Sequence, residues 1–249
     1  MTHYRRLPLD GLNNARELGG FPAHGGATEF GVFIRCEVPA ALTERDIAFL
    51  RDYGVTDVID FRGNLELERT PDVLAREPWL EYHHIPMFDE SAAKGAMPET
   101  GRSREGFFWG DQYIAMTEAG KDWVRKVLTV LAGARGCVVF HCTTGKDRTG
   151  IITALLLGLC GVSGEDIAAD YCVSSLYLRE MYEKMRFLSP SGREGDFSDP
   201  FFSTAAENMQ TLLKHWDDAY GGIEGYVRAC GTGDGVISEI RKKLCGRAV

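Results

Sequence analysis

The stretch that decides the fold is residues 137–160, CVVFHCTTGKDRTGIITALLLGLC. It opens with a short apolar run, Cys137 to Phe140, which is typical of a strand. It closes with a longer apolar run, Ile151 to Cys160, which is typical of a helix. Gly145 and Gly150 lie between the two runs and permit a tight turn with close backbone approach. The segment therefore predicts a strand, a short loop and a helix that begins at the loop.

A loop in this position is a natural site for an anion. Several of its backbone N–H groups point into one concavity, and the helix N-terminus adds partial positive charge. The planar guanidinium of Arg148 can hold two phosphate oxygens at once. We therefore predict that this loop binds phosphate through the residues that follow its cysteine, which are Thr143, Thr144, Gly145, Lys146, Asp147, Arg148 and Thr149.

The thiol of Cys142 is expected at the base of this loop, where it is the candidate nucleophile. The same dipoles would stabilise its thiolate and bring its pKa well below the free value of about 8.5. A thiolate beneath a bound phosphoryl group is placed for in-line attack, which forms a phosphocysteine intermediate. Thr149 is placed to donate a hydrogen bond to the sulfur, and His141 is expected to hydrogen-bond backbone behind the loop. The alternative interpretation is that Cys142 is only a small buried residue at the end of a strand. It does not explain why a thiol, an arginine separated from it by five residues and the Thr149 hydroxyl occur together between a strand and a helix.

These residues carry a resemblance to a known family. The Cys142-to-Arg148 spacing matches the Cys-x5-Arg signature of the protein tyrosine phosphatase superfamily, and GKDRTG at 145–150 resembles its bacterial tyrosine and lipid phosphatase family. Two weaker motifs follow that family's order: NARELGG at 14–20, with Glu17 where aspartate is commoner, and VIDFR at 58–62. Arg35-Cys36 stands where those proteins usually show Arg-Ser. The resemblance implies action on phosphotyrosine, often on phosphoinositides, without a cofactor.

The order of the predicted elements indicates an α/β fold. Strands are expected at 31–35, 55–61, 80–85 and 137–141, and helices follow Thr43, Lys121 and Thr149. After residue 163 only helical patterns remain, near 203–219, 222–230 and 234–246. Strands that alternate with helices and then give way to helices favour a sheet covered by helices. The family resemblance implies that this central sheet is mostly parallel.

Length and composition are those of a soluble globular protein. We predict one phosphatase domain over residues 1–249, with lid-like insertions at 91–110 and 189–200. A net charge of −8 argues against a nucleic-acid surface, so a phosphate site must be local. The apolar stretches are too short to cross a bilayer, which excludes stable membrane insertion. The N-terminus lacks an apolar signal core, which predicts a cytoplasmic protein; an unseen signal for secretion is the alternative.

The seven cysteines are scattered and form no CxxC pair. This pattern predicts no disulfide framework and suits a reducing compartment. Cys137 and Cys160 lie in apolar runs and are expected in the core. No zinc-type spacing of histidine and cysteine occurs, so we predict no metal site.

Three carboxylates compete for the role of proton donor to the leaving group. Asp147 lies inside the loop, and the family resemblance favours it. Asp60 ends a strand beside Arg62, and strand ends commonly meet at a site. Asp89 follows the next strand, where related dual-specificity enzymes place their acid. A purely structural interpretation is strongest for Asp60, because it could simply pair with Arg62 or Arg16.

Further cations would suit a dianionic or multiply phosphorylated headgroup. Lys146 lies within the loop, and its alternative is a solvent-facing lysine paired with Asp147. Arg16, Arg35 and Arg62 are candidate substrate contacts, although each alone is more often part of a structural ion pair.

The sequence thus predicts a metal-independent phosphomonoester hydrolase. A phosphotyrosine protein is its first-choice substrate, and a phosphoinositide or another phosphorylated small molecule is the second. Other hypotheses are a module that binds phosphate groups without turnover and an enzyme that handles sulfur or arsenate with a similar loop. The binding module has no need of the Cys142 thiol. The oligomeric state stays open at this stage.

Overall fold

The computed structural model describes residues 5–88, 107–185 and 202–246. Its strands are β1 (Arg16–Glu17), β2 (Pro22–Ala23), β3 (Gly26–Ala27), β4 (Phe33–Cys36), β5 (Val55–Asp60), β6 (Glu81–His84) and β7 (Cys137–His141). Five of them form one sheet in the order β1-β4-β7-β5-β6, while β2 and β3 pair separately. All pairs in the larger sheet are parallel except β1 with β4. The prediction of a mostly parallel central sheet is confirmed.

Helices pack around the central sheet. They are α1 (Glu44–Asp52), α2 (Asn64–Arg69), α3 (Trp109–Ala119), α4 (Lys121–Gly133), α5 (Asp147–Leu159), α6 (Gly164–Tyr177), α7 (Arg179–Met185), α8 (Ala206–Tyr220), α9 (Ile223–Ala229) and α10 (Asp234–Cys245). The predicted capping box is present at α1, where Thr43 and Asp46 cap each other's backbone. Ser163 likewise caps α6. Across the described residues the structure is helical after β7, as predicted.

Strand β7 lies in the middle of the sheet and is buried along its whole length. Alternate side chains point to opposite faces, so Val138 and Phe140 pack with α4 and α5 while Val139 packs with Val58 and Leu50 near α1. The carboxyl ends of the parallel strands β4, β7 and β5 meet at one edge of the sheet. This edge carries residues 142–149, a loop together with the first residues of α5, which we call the cradle loop.

The cysteine pattern predicted no disulfide framework, and this prediction was wrong for one pair of cysteines. Cys160, at the end of α5, is disulfide-bonded to Cys245, at the end of α10. The two residues are 85 positions apart, and they meet because α10 packs against α4 and α5, which no sequence spacing reveals. The bond removes the argument for a reducing compartment that rested on the cysteine pattern. Cys137 is buried in the core, as predicted.

Most of the two predicted lids lies outside the described residues. Residues 91–106 and 189–200 are not described, so the prediction for them stays a prediction. The end of the first segment is described, and there Trp109 begins α3 with its ring edge-on to Phe107 and stacked on Tyr113. Within the described ranges, no helix has both the length and the apolar character needed to span a membrane.

Glu17, on the edge strand β1, is buried with one ordinary hydrogen bond, from the Gly31 N–H to Oε1 (3.0 Å). Its Oε2 has no hydrogen-bond partner within the described part of the chain. Burial raises the pKa of Glu17 to about 7, although the Tyr53 hydroxyl and the Gly31 N–H both act in the opposite direction. A carboxyl group with a raised pKa favours the fold while protonated, so its contribution is complete below about pH 4.5 and is lost by about pH 7.

We therefore expect Glu17→Gln to remove part of the pH dependence of stability. The parent should lose roughly 2–3 kcal/mol of unfolding free energy between pH 5 and pH 8 that the variant does not lose. Urea denaturation at both pH values measures the difference, and the remaining titrating groups cancel because both proteins contain them. If the free energy of unfolding changed equally for the two proteins between pH 5 and pH 8, the expectation would be contradicted.

Candidate active site

The cradle loop connects the end of β7 to the start of α5, as the sequence predicts. Cys142 follows the strand directly and is 1% exposed, and its Sγ accepts a hydrogen bond from Thr149 Oγ1 at 3.3 Å. The His141 Nδ1 lies 3.2 Å from the Cys142 carbonyl oxygen, so the imidazole contacts backbone behind the loop. Both of these predicted contacts are confirmed. The first helical hydrogen bond of α5 runs from the Gly150 N–H to the Lys146 carbonyl, so the preceding N–H groups have no helical partner.

Arg148 lies in the first turn of α5 and is held by Glu66 from α2. The two Glu66 oxygens accept from Nη1 and Nη2 of Arg148 at 2.7 Å each. The Thr143 hydroxyl also donates to Glu66, and the Phe61 carbonyl accepts from Nη1 at 3.2 Å. Burial acts to raise the pKa of Glu66, but Arg148 outweighs it and holds the pKa at about 2. Glu66 is therefore an anion that fixes the orientation of the guanidinium.

Two side chains from the N-terminal part of the chain, Asn14 and Arg35, donate hydrogen bonds to the cradle loop. Asn14 Nδ2 donates to the carbonyl oxygens of Thr144 and Gly145 at 3.1 and 3.3 Å. Arg35 Nη2 donates to the Gly145 carbonyl at 2.6 Å. The Asn14 N–H is in turn held by Glu37. The NARELGG motif thus contacts the loop through its first residue.

Arg16 and Arg35 were predicted as substrate contacts, but both are buried in an ion-pair cluster around Asp170. Asp170 accepts from Arg16 Nε at 2.8 Å and from Arg35 Nη1 at 2.7 Å. Burial alone would raise the pKa of Asp170, and the two arginines lower it to about 2. Their guanidinium groups are 1–2% exposed, so the structure gives both a supporting position in place of direct substrate contact.

Asp60 and Arg62 form a second buried cluster, and this corrects the prediction of a catalytic Asp60. The Asp60 carboxylate accepts from Arg62 Nε and Nη2 at 3.0 and 2.7 Å and from the Tyr82 hydroxyl at 2.7 Å. Burial acts to raise the pKa of Asp60, but the charges of His141 and Arg62 lower it overall. A carboxylate that is buried, ionised and fully hydrogen-bonded is a poor proton donor. Arg62, 0% exposed, is equally unavailable to substrate.

His141 joins this cluster to the cradle loop. Its Nε2 lies 2.9 Å from Asp72 Oδ2 and 3.7 Å from Asp60 Oδ2. Burial alone would lower the pKa of His141, but the two carboxylates raise it overall. The imidazolium is therefore stabilised between two anions directly behind Cys142.

Asp147, the first residue of α5, keeps a partly exposed carboxyl group, with 19% of its side chain accessible. Its Oδ1 accepts from the Tyr113 hydroxyl and lies 3.5 Å from Lys146 Nζ. Lys146 is buried, with its ammonium 4.7 Å from the centre of the Trp109 ring, so the alternative of a solvent-facing lysine is wrong. Burial lowers the pKa of Lys146, and Asp147 opposes that effect. The third acid candidate, Asp89, lies outside the described residues.

Four residues of the site and its support were not predicted from the sequence: Asn14, Glu66, Tyr113 and Asp170. Asn14 stands in the NARELGG motif, directly before the alanine that precedes Arg16. The other three come from helices α2, α3 and α6, whose spacing carries no sign of the contact.

A family model described as tyrosine phosphatase family matches residues 7–246. The chain belongs to the tyrosine phosphatase family. A tyrosine-protein phosphatase of Nostoc commune is 28% identical over 226 residues, which cover 85% of this chain and 74% of that protein. The triple specificity protein phosphatase PtpB of Mycobacterium tuberculosis is 28% identical over 256 residues, which cover 87% and 91%. A crystal structure of P. aeruginosa TpbA aligns with a TM-score of 0.40 at 16% identity, over 81% of this chain and 87% of that one.

Membership in the family confirms the predicted class of enzyme, a cysteine-dependent phosphatase. The matched region contains the NARELGG motif, the VIDFR segment and the cradle loop. The contacts described above place these three segments around one edge of the sheet.

Gly145 is a position of the cradle loop at which a larger residue should lower both stability and activity. Its φ is +66°, and a Cβ there would stand 2.2 Å from the Cys36 carbonyl oxygen. We expect Gly145→Ala to lower the free energy of unfolding by roughly 2–5 kcal/mol, because backbone strain adds to overpacking. Displacement of the loop should also reduce turnover of p-nitrophenyl phosphate by about 100-fold.

Gly25→Ala is the matched control, since Gly25 has a φ of +82° and nothing within 4 Å of its added Cβ. It should cost only the backbone strain of about 1 kcal/mol and leave turnover unchanged. Urea denaturation and steady-state kinetics on both variants compare the two glycines. Equal stability losses would show that the contact with Cys36 does not matter.

Proposed function

We propose that this chain is a metal-independent protein-tyrosine phosphatase that works through a phosphocysteine at Cys142. The arrangement of Cys142 and Arg148 carries the proposal: a sulfur that accepts a hydrogen bond from Thr149 at the base of a loop whose N–H groups face an anion site, with an oriented guanidinium beside it. Family membership and the names of the curated relatives support phosphotyrosine as the substrate.

In the first step, the phosphoryl oxygens bind to the N–H groups of residues 143–148 and to Arg148. Glu66, Phe61 and Thr143 engage the Nη1 and Nη2 groups of Arg148, so we assign the Nε edge of the guanidinium to the substrate. The Cys142 thiolate attacks phosphorus, a P–S bond forms and the P–O bond to the phenol breaks. Asp147 donates its proton to the departing oxygen.

In the second step, Asp147 takes a proton from water as the water oxygen attacks phosphorus. The P–S bond breaks, and the sulfur leaves as a thiolate that the Thr149 hydroxyl stabilises. Inorganic phosphate then departs. Asp147 suits both steps because it lies inside the loop and is partly exposed, whereas Asp60 is sealed in its ion pair.

A phosphoinositide is the second candidate substrate, and Lys146 is the observation that favours it. The loop carries this additional buried ammonium between Trp109, the Ser203 carbonyl and Asp147. Its side chain is only 2% exposed, so it would favour a multiply phosphorylated headgroup through its charge beside the phosphate site and not by direct contact.

The test is acid quenching during turnover of a phosphotyrosine peptide, followed by mass spectrometry of the peptide that contains Cys142. We expect a phosphate adduct on that cysteine and undiminished turnover in the presence of a metal chelator. Phosphoserine peptides and phosphoinositide vesicles, run in parallel, rank the substrates. Tight peptide binding with no phosphate release would favour the binding module, and turnover of thiosulfate or arsenate alone would favour the sulfur or arsenate enzyme.

A further inference from the structure

We propose that Tyr113, Tyr171 and Asn208 form a directed hydrogen-bond chain that positions Asp147 for proton transfer. The proposal rests on the function proposed above and adds three positioning residues to it. The three side chains come from α3, α6 and α8, and they are 0–2% exposed. They meet on the side of the cradle loop where Asp147 begins α5.

The contacts form one continuous line. Asn208 Nδ2 lies 3.3 Å from the Tyr171 hydroxyl, and the two tyrosine hydroxyls lie 2.8 Å apart. The Tyr113 hydroxyl then contacts Asp147 Oδ1. Tyr171 also lies 3.3 Å from the Ser203 carbonyl, a longer contact than the one to Tyr113.

The number of protons available determines which group donates at each hydrogen bond of the chain. A phenol has one proton, and Asp147 Oδ1, which faces the Lys146 ammonium, accepts in the ionised carboxylate and also when the proton is on Oδ2, so the Tyr113 proton goes to Asp147. Tyr113 must then accept from Tyr171 at their mutual contact. Tyr171 must in turn accept from the Asn208 amide, which donates at Nδ2. Each donor is thereby polarised by the one before it, which strengthens the final hydrogen bond.

This direction separates the two oxygens of Asp147. Among the described residues, both of its contacts, from Tyr113 and Lys146, fall on Oδ1. Oδ2 is therefore the oxygen that carries the proton toward the substrate. As that proton leaves, negative charge develops on the carboxyl group and the Tyr113 hydrogen bond becomes charge-assisted. The chain thus stabilises the transition state more than the ground state.

Burial keeps the donors intact. It raises the pKa of Tyr113 and Tyr171 well above the ordinary value for a phenol, with the charge of Asp147 adding to the effect. Both hydroxyls therefore retain their protons throughout the working range of pH.

The experiment compares Tyr113→Phe with the parent on two aryl phosphates. Phenyl phosphate has a poor leaving group that needs an acid, and p-nitrophenyl phosphate has a good one that needs little help. The readout is kcat/KM, because it covers the steps up to departure of the phenol and leaves out the hydrolysis of the phosphocysteine that both substrates share. We expect kcat/KM on phenyl phosphate to fall about tenfold and kcat/KM on p-nitrophenyl phosphate to fall less than about twofold. Equal losses on both would overturn the proposal.

A double-mutant cycle with Asp147→Asn decides whether the effect passes through Asp147. In that background Tyr113→Phe should change kcat/KM on phenyl phosphate by less than about twofold, because no proton transfer to the leaving group remains to be assisted. A tenfold loss there too would mean a merely structural role. Tyr226→Phe is the control, since this buried tyrosine donates to the Thr117 carbonyl away from the cradle loop and should leave both substrates unaffected.

If Tyr113→Phe does not fold, Tyr171→Phe tests the same chain one link further back. It removes the donor to Tyr113 and should give a smaller loss, about threefold, again confined to phenyl phosphate. A loss on neither substrate, or the same loss on both, would overturn the proposal. Failure of the proposed function gives a different result, because the parent protein would then release phosphate from neither compound.

Discussion

Replacing Cys142 by serine is expected to reduce kcat on p-nitrophenyl phosphate by at least about 10³-fold. A hydroxyl is nearly the size of a thiol, so the buried site should keep its fold. Serine ionises far less readily than cysteine, and the Thr149 hydroxyl beside it donates a hydrogen bond and cannot act as a base. The nucleophile is thus lost while the anion site remains.

Two measurements make this result specific. Cys172→Ser changes a half-buried free thiol on α6 and should retain full turnover. Equilibrium binding of a phosphotyrosine peptide to Cys142→Ser should persist, because the loop N–H groups and Arg148 are unchanged. Turnover that survives in Cys142→Ser would rule out the thiolate mechanism.

Replacing Arg148 by lysine is expected to reduce kcat by about 10²- to 10³-fold, although the positive charge is retained. Glu66 orients the Arg148 guanidinium through two hydrogen bonds of 2.7 Å. The single ammonium group of a lysine cannot be held in the same orientation. It also cannot offer two parallel N–H groups to the phosphoryl oxygens as the charge on them grows. The loss should therefore appear mainly in kcat.

The control for this variant is Arg125→Lys, at a partly exposed arginine that pairs with Asp122 on the surface of α4. Its turnover should match the parent. Steady-state kinetics on p-nitrophenyl phosphate and on a phosphotyrosine peptide measure both variants. A loss below about tenfold for Arg148→Lys would show that charge alone suffices and that the fork geometry is unimportant.

The local elements around the cradle loop were predictable because their patterns are short-range. The continuous apolar run of β7, the capping residues Thr43 and Ser163, and the glycines of the loop each act within a few positions along the chain. The nucleophile, the arginine and the hydroxyl of the loop were found for the same reason, since Cys142, Arg148 and Thr149 lie within eight consecutive residues.

The arginines show where such reasoning fails. Arg16, Arg35 and Arg62 looked like substrate contacts, yet each is buried against a carboxylate, Asp170 or Asp60. Asp170 is 135 residues from Arg35, so only the packing of α6 beneath the sheet edge brings the pair together. A buried charge needs a partner, but sequence does not say which one it has.

The sequence by itself determined the chemistry of this protein: a thiol, an arginine and a hydroxyl spaced within one strand-loop-helix unit whose dipoles favour an anion. Only the tertiary structure decided that Asp60 is held in an ion pair, what holds Arg148, and which cysteines are bonded. Those outcomes depend on contacts such as Glu66 with Arg148, Tyr113 with Asp147 and Cys160 with Cys245. Their partners are 34 to 85 residues apart along the chain, and helix packing alone sets the distances between them.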